Sequence, residues 1–491
     1  MNQKKIIVVG SGTAGLVTAL IIKSVMPAYE VIVVSSSKRG IIGVGEGSTE
    51  HWQLFQNIVG IDVDDMVRNA DITHKYGIRY ENWTNHTPDY FHSVGGTGLQ
   101  SNTFWGSYAY ALENDLLLTN TFSWRGLVDN MVIDSGPDVH RGTNQYHFDT
   151  FKLNRYLTNV AASKGIVFID DEVADVAVEK NGFIGSVFLK GAQKDIHGDF
   201  FIDATGFHRE LLSKIADKTF VSYRKFLPCD KAIAFPTESE ESGQIRPYTR
   251  ARALKNGWMW EIPTQTRRGN GYVFASDFCS PEQAIEEASE VHGFQVEPAK
   301  IVDFNSGYFK ETWKNNCVAV GLAAGFVEPL EATSISTTIQ QARLICSYLP
   351  TFSEERMYGI KEYHRVVDSI MENILCMISL HYMSDRTDSE MWRAQSKSEK
   401  PELLQHLLNI WNERCPESHD VPFTGFELFA AAHLWHVAQG QGVLNKQVAS
   451  MQLDAYASRK NVSEDISNYT KSLLKQRLIG HAQALKNTRN S

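Results

Sequence analysis

The sequence predicts an α/β protein with a parallel sheet and helices at its start, a second β-sheet module in its middle and a helical C-terminal region. Three observations carry this. KIIVVG (5–10) is a short β-branched run followed by a glycine-rich turn and a helical stretch to about residue 25. Residues 215–300 divide into strand-like runs, FLPCDKAIAF, WMWEIP and GYVFAS. Beyond about residue 346, apolar residues recur at helical spacing, as in MYGIKEYHRVVDSIMENILCMISL (357–380).

The first unit reads strand, turn, helix, strand, with EVIVV (30–34) as the second strand. That is the context in which GxGxxG becomes a dinucleotide fingerprint of a Rossmann-like module. Gly10 permits the tight turn, Gly12 lets a pyrophosphate approach the backbone, and Gly15 lets the helix pack closely. Thr13 and Ala14 open the helix, whose free N–H groups face the phosphates. The acidic residue that should hold the ribose at the end of the second strand is replaced by Ser35, which hydrogen-bonds without charge. DFFIDATGF (199–207) and NNCVAVGLAAGF (315–326) read as further strands of the same sheet, each ending in a glycine turn. A helix capped by Thr333 or Ser334 follows, running through ISTTIQQARLICSYL. Residues 1–345 thus read as one discontinuous nucleotide-binding module with insertions at approximately 70–140 and 215–300. Residues 346–491 read as a mainly helical region that holds substrate.

Bulk properties narrow the function. Of 491 residues, 43% are hydrophobic and 21% charged, which excludes disordered and fibrous classes. The formal charge is −9 with no dense basic run, so nucleic acid and anionic membranes are excluded as partners. Cys229, Cys279, Cys317, Cys346, Cys376 and Cys415 form no CxxC pair, which argues against a zinc site or disulfide framework and fits a reducing cytoplasm. The apolar run after Lys4-Lys5 is interrupted by three glycines and lacks a small-residue cleavage site, so no secretory signal is expected.

GWMWEIP (257–263) is the most unusual stretch. In a strand, Trp258 and Trp260 share a face, and Pro263 ends the ladder. An isolated WxW of this kind reads as core. Here it accompanies GVGEGS (43–48), KYGIRYENW (75–83), YHFDTFKLNRYL (146–157) and GFVEPLEATS (325–334). Together these resemble the motifs of flavin-dependent halogenases of the tryptophan halogenase type, from residue 5 to about residue 392. The resemblance implies a flavin monooxygenase-type fold, reduced FAD as co-substrate, and oxygen and a halide (chloride, bromide or iodide). It also implies an aromatic small-molecule substrate and a separate flavin reductase, since no second nucleotide fingerprint is present. It assigns cofactor contacts to Gly10, Gly12, Thr13, Ala14, Gly15, Ser35, Gly43, Val44, Gly45, Glu46, Asp203, Gly321 and Ile335, and no metal.

The chemistry agrees with the resemblance. A flavin hydroperoxide beside an aromatic ring hydroxylates it, whereas making an electrophilic halogen requires the ring to be kept away. Two indoles over the flavin, Trp258 and Trp260, supply the shield. Two absences set the chain apart from aromatic hydroxylases: their Gly-Asp turn is here Gly321-Leu322-Ala323-Ala324, and their Asp-Gly motif is DATGF.

The resemblance makes Lys75 the acceptor of hypohalous acid, where a compact cation polarises the O–X bond. Residues 73, 75, 77 and 79 are expected on one strand face; without the family context Lys75 reads as a solvated surface group. Glu331 is its companion base, a role suited to a raised pKa, although it reads equally as a helix N-terminal glutamate. Glu328, three residues earlier, competes for that role, and the Pro-Leu-Glu context favours Glu331. Thr333 and Ser334, after Ala332, are assigned the halide. Phe91 and His92 are expected to sandwich the flat substrate. Trp435, in HLWHVAQGQG, is the only evident C-terminal stacking residue, and the lack of a Tyr-Tyr pair there argues against free tryptophan. An FAD-dependent aromatic hydroxylase and a non-catalytic flavin-binding protein remain alternatives.

Overall fold

A computed structural model of the protein describes residues 4–41, 43, 46–93, 101–116, 130–134, 143–240, 242–456, 459–475 and 477–490. Its N-terminal layer is a six-stranded sheet whose centre is the strand Lys5–Val9, flanked by Glu30–Ser35 and Phe200–Asp203. Cys317–Ala319 and Val167–Asp170 extend it in parallel, and Trp313–Lys314 closes one edge antiparallel. These strands read as near-continuous apolar runs because helices cover the sheet. Helix Thr13–Val25 is buried from Gly15 to Ile22 and packs on helices Thr150–Ser163 and Thr333–Tyr348. Asp149 caps Thr150–Ser163 by accepting from the N–H groups of Phe151 and Lys152.

Both predicted insertions meet in one seven-stranded sheet. Its order runs Lys300–Asp303, Lys231–Glu238, Arg267–Phe274, Gly257–Pro263, Thr249–Ala253, Gly77–Glu81, Asp89–Ser93. Gly77–Glu81 joins it parallel to Thr249–Ala253, which unites segments about 170 residues apart. The double-tryptophan strand is buried at all seven positions and ends at Pro263. Small residues flank the indoles: Trp258 lies opposite Ala253, and Trp260 opposite Ala251 and Gly271.

The structure corrects two local expectations. The segment around Lys75 is not one strand. Thr73–Lys75 pairs with Gln145–Phe148 in a separate three-stranded sheet, and a new strand begins at Gly77, whose φ of +152° turns the chain. The alternation expected across residues 73–79 therefore breaks at Tyr76. Helix Thr333–Tyr348 is not capped by a hydroxyl: its N-cap is Ala332, at φ +56°, with no side-chain cap. That helix also runs through the predicted boundary at residue 345. The largest apolar cluster extends from Ile6 to Leu485, so the C-terminal helices pack on the same core as one face of the nucleotide module, while smaller clusters cover the other faces of the two large sheets. No helix among the described residues is long and apolar enough to cross a membrane.

Candidate functional site

A cavity of about 640 Å³ opens where the parallel sheet meets the seven-stranded sheet. Gly10, Gly12, Thr13, Ala14, Ser35, Gly43, Glu46, Gly321 and Ile335 line it. Gly15 lies behind the lining, where a Cβ would stand 2.0 Å from the Gly10 carbonyl oxygen. Gly10 is held as tightly, since a Cβ there would lie 2.3 Å from the carbonyl oxygen of Ala204. Only backbone fits between the strands and the helix start, which is the close approach a dinucleotide fingerprint requires. Asp203 is not a lining residue. Its buried carboxylate accepts from the N–H groups of Thr205, Leu211 and Leu212 and from the Thr205 hydroxyl. It therefore holds the turn Ala204–Gly206, which does line the cavity. Val44 and Gly45 lie outside the described residues.

The cavity fits a flavin dinucleotide on three counts. Helix Thr13–Val25 presents a first turn without acidic residue or side-chain cap. The buried Glu46 Oε2 has no partner among the described residues, and burial pushes this carboxyl up to about 7. The Trp260 Nε1 is likewise buried without a partner. Among the described residues no group of three His, Cys, Asp or Glu side chains is arranged to hold a metal ion.

Trp258 and Trp260 both line this cavity, with ring centroids 6.1 Å apart and planes tilted by 55°. Gly271 makes room for the second indole, for a Cβ there would come within 2.0 Å of its Cη2. Trp258 leans on Glu328, whose carboxylate also accepts from the Tyr382 hydroxyl at 3.1 Å.

Lys75 is 1% exposed, which removes the solvated-surface reading. Its Nζ donates to the Ser48 carbonyl at 2.8 Å and lies close behind Gly47, which lines the cavity. Burial lowers its pKa to about 8, opposed by the charges of Glu331 and Glu50. At neutral pH it remains mainly an ammonium, and among the described residues the Ser48 carbonyl is the one hydrogen-bond acceptor of its three protons.

Glu331 is buried, and its Oε1 accepts from Tyr80 Oη at 2.7 Å, His381 Nε2 at 2.7 Å and His92 Nδ1 at 2.9 Å. Burial pushes its carboxyl upward, but His92 and His381 outweigh this and hold it well below the usual carboxylate range. The expected raised pKa belongs instead to Glu328, which burial pushes up to about 7. The two glutamates, three residues apart, are thus driven in opposite directions.

The substrate-side expectations are corrected. Phe91 and His92 are neighbours on one strand and point to opposite faces, so they cannot sandwich one ring. Phe91 packs against Gly77 and Tyr248 in the core, while His92 joins Glu331. Trp435 is fully buried in helix Ala431–Gly440 and packs against Tyr108. Ser334 lines the cavity; Thr333 is buried beside it and is not part of the lining.

Sequence reasoning missed the groups around Glu331. Tyr80 and His381 come from segments some 300 residues apart and stack at 4.3 Å. Glu50 and His433 approach each other at 3.8 Å. No spacing in the chain announces these meetings, because the sheet pairing and the C-terminal helices create them.

Comparison with known proteins follows this geometry. The tryptophan halogenase family model matches residues 5–456. The 7-chloro-L-tryptophan 6-halogenase KtzR of Kutzneria sp. (strain 744) is 31% identical over 449 residues, covering 84% of this chain and 86% of the relative. The tryptophan 6-halogenase SttH of Streptomyces toxytricini is 30% identical over 454 residues, covering 86% of each. Among solved structures, the tryptophan halogenase of Shewanella frigidimarina NCIMB 400 superposes with a TM-score of 0.88 at 26% identity, covering 99% of this chain and 98% of that one. Xcc4156, a flavin-dependent halogenase from Xanthomonas campestris, gives 0.85 at 27% identity, with the same coverage.

Proposed function

The chain belongs to the tryptophan halogenase family, and from that premise we propose that it halogenates an electron-rich aromatic small molecule through hypohalous acid delivered to Lys75. Bound in the 640 Å³ cavity, reduced FAD supplies, with oxygen and a halide, the oxidising chemistry that yields this acid. Gly10, Gly12, Thr13 and Ala14 hold the phosphates, Ser35 the ribose, and Gly43, Glu46, Gly321 and Ile335 the remaining wall. The backbone at the uncapped start of helix Thr333–Tyr348, beside Ser334, holds the halide.

The observation that carries this reading is the placement of the two indoles with respect to Lys75. Trp258 and Trp260 wall the cavity, while the Lys75 ammonium stands just behind Gly47 and is itself not part of the lining. On this reading an aromatic guest on the Lys75 side is kept from the cofactor, while hypohalous acid passes to the ammonium. There Lys75 polarises the O–X bond and stabilises the departing hydroxide. Glu331, ionised and fixed by three donors, stabilises the cationic ring and takes the proton from the carbon that received the halogen. A separate reductase delivers the reduced flavin.

Turnover of a panel of electron-rich aromatics with reduced FAD, oxygen and bromide tests this. A product with the bromine isotope doublet is expected. A hydroxylated product without bromine identifies a monooxygenase, and flavin oxidation without any aromatic product a flavin-binding protein alone.

A further inference from the structure

We propose that Glu172, carried in from the strand beside Ser35, supplies the carboxylate that holds the 2′-hydroxyl of the cofactor's adenosine ribose. The assignment rests on the cavity being the FAD site. In a nucleotide-binding module of this kind, an acidic side chain at the end of the second strand takes that hydroxyl. Here the second strand, Glu30–Ser35, ends in Ser35 and is followed by Ser36 and Ser37. These serines bring hydroxyls to the ribose end and no charge.

The neighbouring strand makes good the loss. Val167–Asp170 runs parallel to Glu30–Ser35 with Asp170 opposite Ser35, so the two strands end at one level of the sheet. The chain continues as Asp171-Glu172, and the Asp171 N–H donates to the Ser35 carbonyl at 3.0 Å. Three acidic residues in a row therefore reach the edge where the carboxylate is needed, and their partners tell them apart. Asp170 accepts from the Ser37 N–H at 2.8 Å and holds the serine turn. Asp171 accepts from the N–H groups of Glu172 and Gly191 with one oxygen and from that of Ala192 with the other. Both of its oxygens are thus committed to its own turn and to the hairpin between strands Ile184–Leu189 and Lys194–His197. Glu172 lines the cavity together with Ser35 and Ser36. Its Oε2 accepts from Lys190 Nζ at 3.0 Å, and among the described residues no donor meets its Oε1.

The other carboxylates of the lining are placed or paired differently. Glu210 forms an ion pair with Arg39, the cation of the loop that follows the serines. Glu46 belongs to the short strand Glu46–Gly47, which pairs with Gln145–Phe148 beside Lys75 and not with the nucleotide sheet. Glu172 is left as the carboxylate at the ribose end with an oxygen to offer. The Lys190 ammonium holds it below the usual carboxylate range, so it meets a hydroxyl as an ionised acceptor. Its side chain is 23% exposed and that of Lys190 67%. The contact is therefore made at the solvent edge, where it adds one hydrogen bond and leaves the flavin free to exchange.

Equilibrium dialysis of the full chain tests this, with oxidised FAD and its 2′-deoxyadenosine analogue against wild type, Glu172→Ala and Lys190→Ala. Glu172→Ala is expected to bind FAD about tenfold more weakly, roughly what one hydrogen bond to a charged group is worth. Removing the 2′-hydroxyl should cost the wild type a similar factor and cost Glu172→Ala almost nothing. Lys190→Ala breaks the ion pair but keeps the carboxylate, and should bind FAD within about threefold of wild type, as expected for an exposed pair. Wild-type FAD affinity in Glu172→Ala overturns the assignment and leaves the cavity as the FAD site. So does a weakened Glu172→Ala that still loses as much as wild type when the hydroxyl is removed, since that loss comes from a distorted pocket. Failure of the wild type to bind FAD overturns the reading of the cavity and the assignment with it. The analogue decides the matter on wild type alone where Glu172→Ala does not fold: equal affinity for both flavins overturns the proposal.

Discussion

Lys75 is a charge kept where folding disfavours it, and its surroundings explain why. Burial lowers its pKa from 10.5 to about 8, which corresponds to about 3 kcal/mol at roughly 1.4 kcal/mol per pH unit. Between those values the unfolded chain binds more protons than the folded one, so this residue makes stability rise with pH across that window. Lys75→Met should therefore stabilise the protein at pH 7 by about 1–3 kcal/mol, the lower end allowing for the Ser48 carbonyl left without its donor. The same variant should oxidise flavin and yield no halogenated product; a lower melting temperature with retained halogenation contradicts both statements. In the wild type, halogenation should fall as pH rises through about 8 while flavin oxidation does not. Parallel loss of both activities would detach this limb from Lys75. Glu331, held low, should contribute no decline between pH 5 and 7, which a pH–rate profile of the halogenation step reads directly.

At the scale of elements, the double-tryptophan strand depends on what lies beside it. Ala251, Ala253 and Gly271 leave the space that the two indoles fill. In Gly271→Ala the new Cβ would lie 2.0 Å from Trp260 Cη2, so the ring must move. The substitution should cost about 1–3 kcal/mol as overpacking and lower the halogenated product formed per flavin oxidised. Calorimetry and product-to-peroxide ratios check this; unchanged values for both would mean that the wall does not depend on that contact. Elements were legible in the sequence where periodicity was local: strands Lys5–Val9 and Gly257–Pro263 and helix Tyr358–His381 begin and end near their predicted limits. The break at Tyr76-Gly77 was not legible, because it follows from two sheets competing for one segment. Ala332 as N-cap was hidden for a different reason, since a left-handed alanine has no sequence signal.

At the scale of the molecule, the cavity and the Glu331 cluster lie along the same face of the sheet that both insertions build: Trp260, Ala251 and Tyr80 stand side by side in register, the first lining the cavity and the last donating to Glu331. The fingerprint and the indole pair were readable as motifs, since each is continuous in sequence. The cluster was not, because Tyr80, His92, Glu331, His381 and His433 come from five separate segments. Phe91 and Trp435 are both buried, and their burial was not legible because aromatic character alone does not distinguish a ligand face from core. Ser35, without a carboxylate, predicts that FAD exchanges as a co-substrate; gel filtration should separate oxidised FAD from the protein, and tightly retained flavin contradicts this. The central claim is the division of labour between the walled cavity and Lys75. It is tested most directly by mass spectrometry of the products from wild type and Lys75→Ala, turned over with bromide at matched flavin oxidation. The account predicts a brominated aromatic from the first and none from the second; equal bromination by both would contradict it.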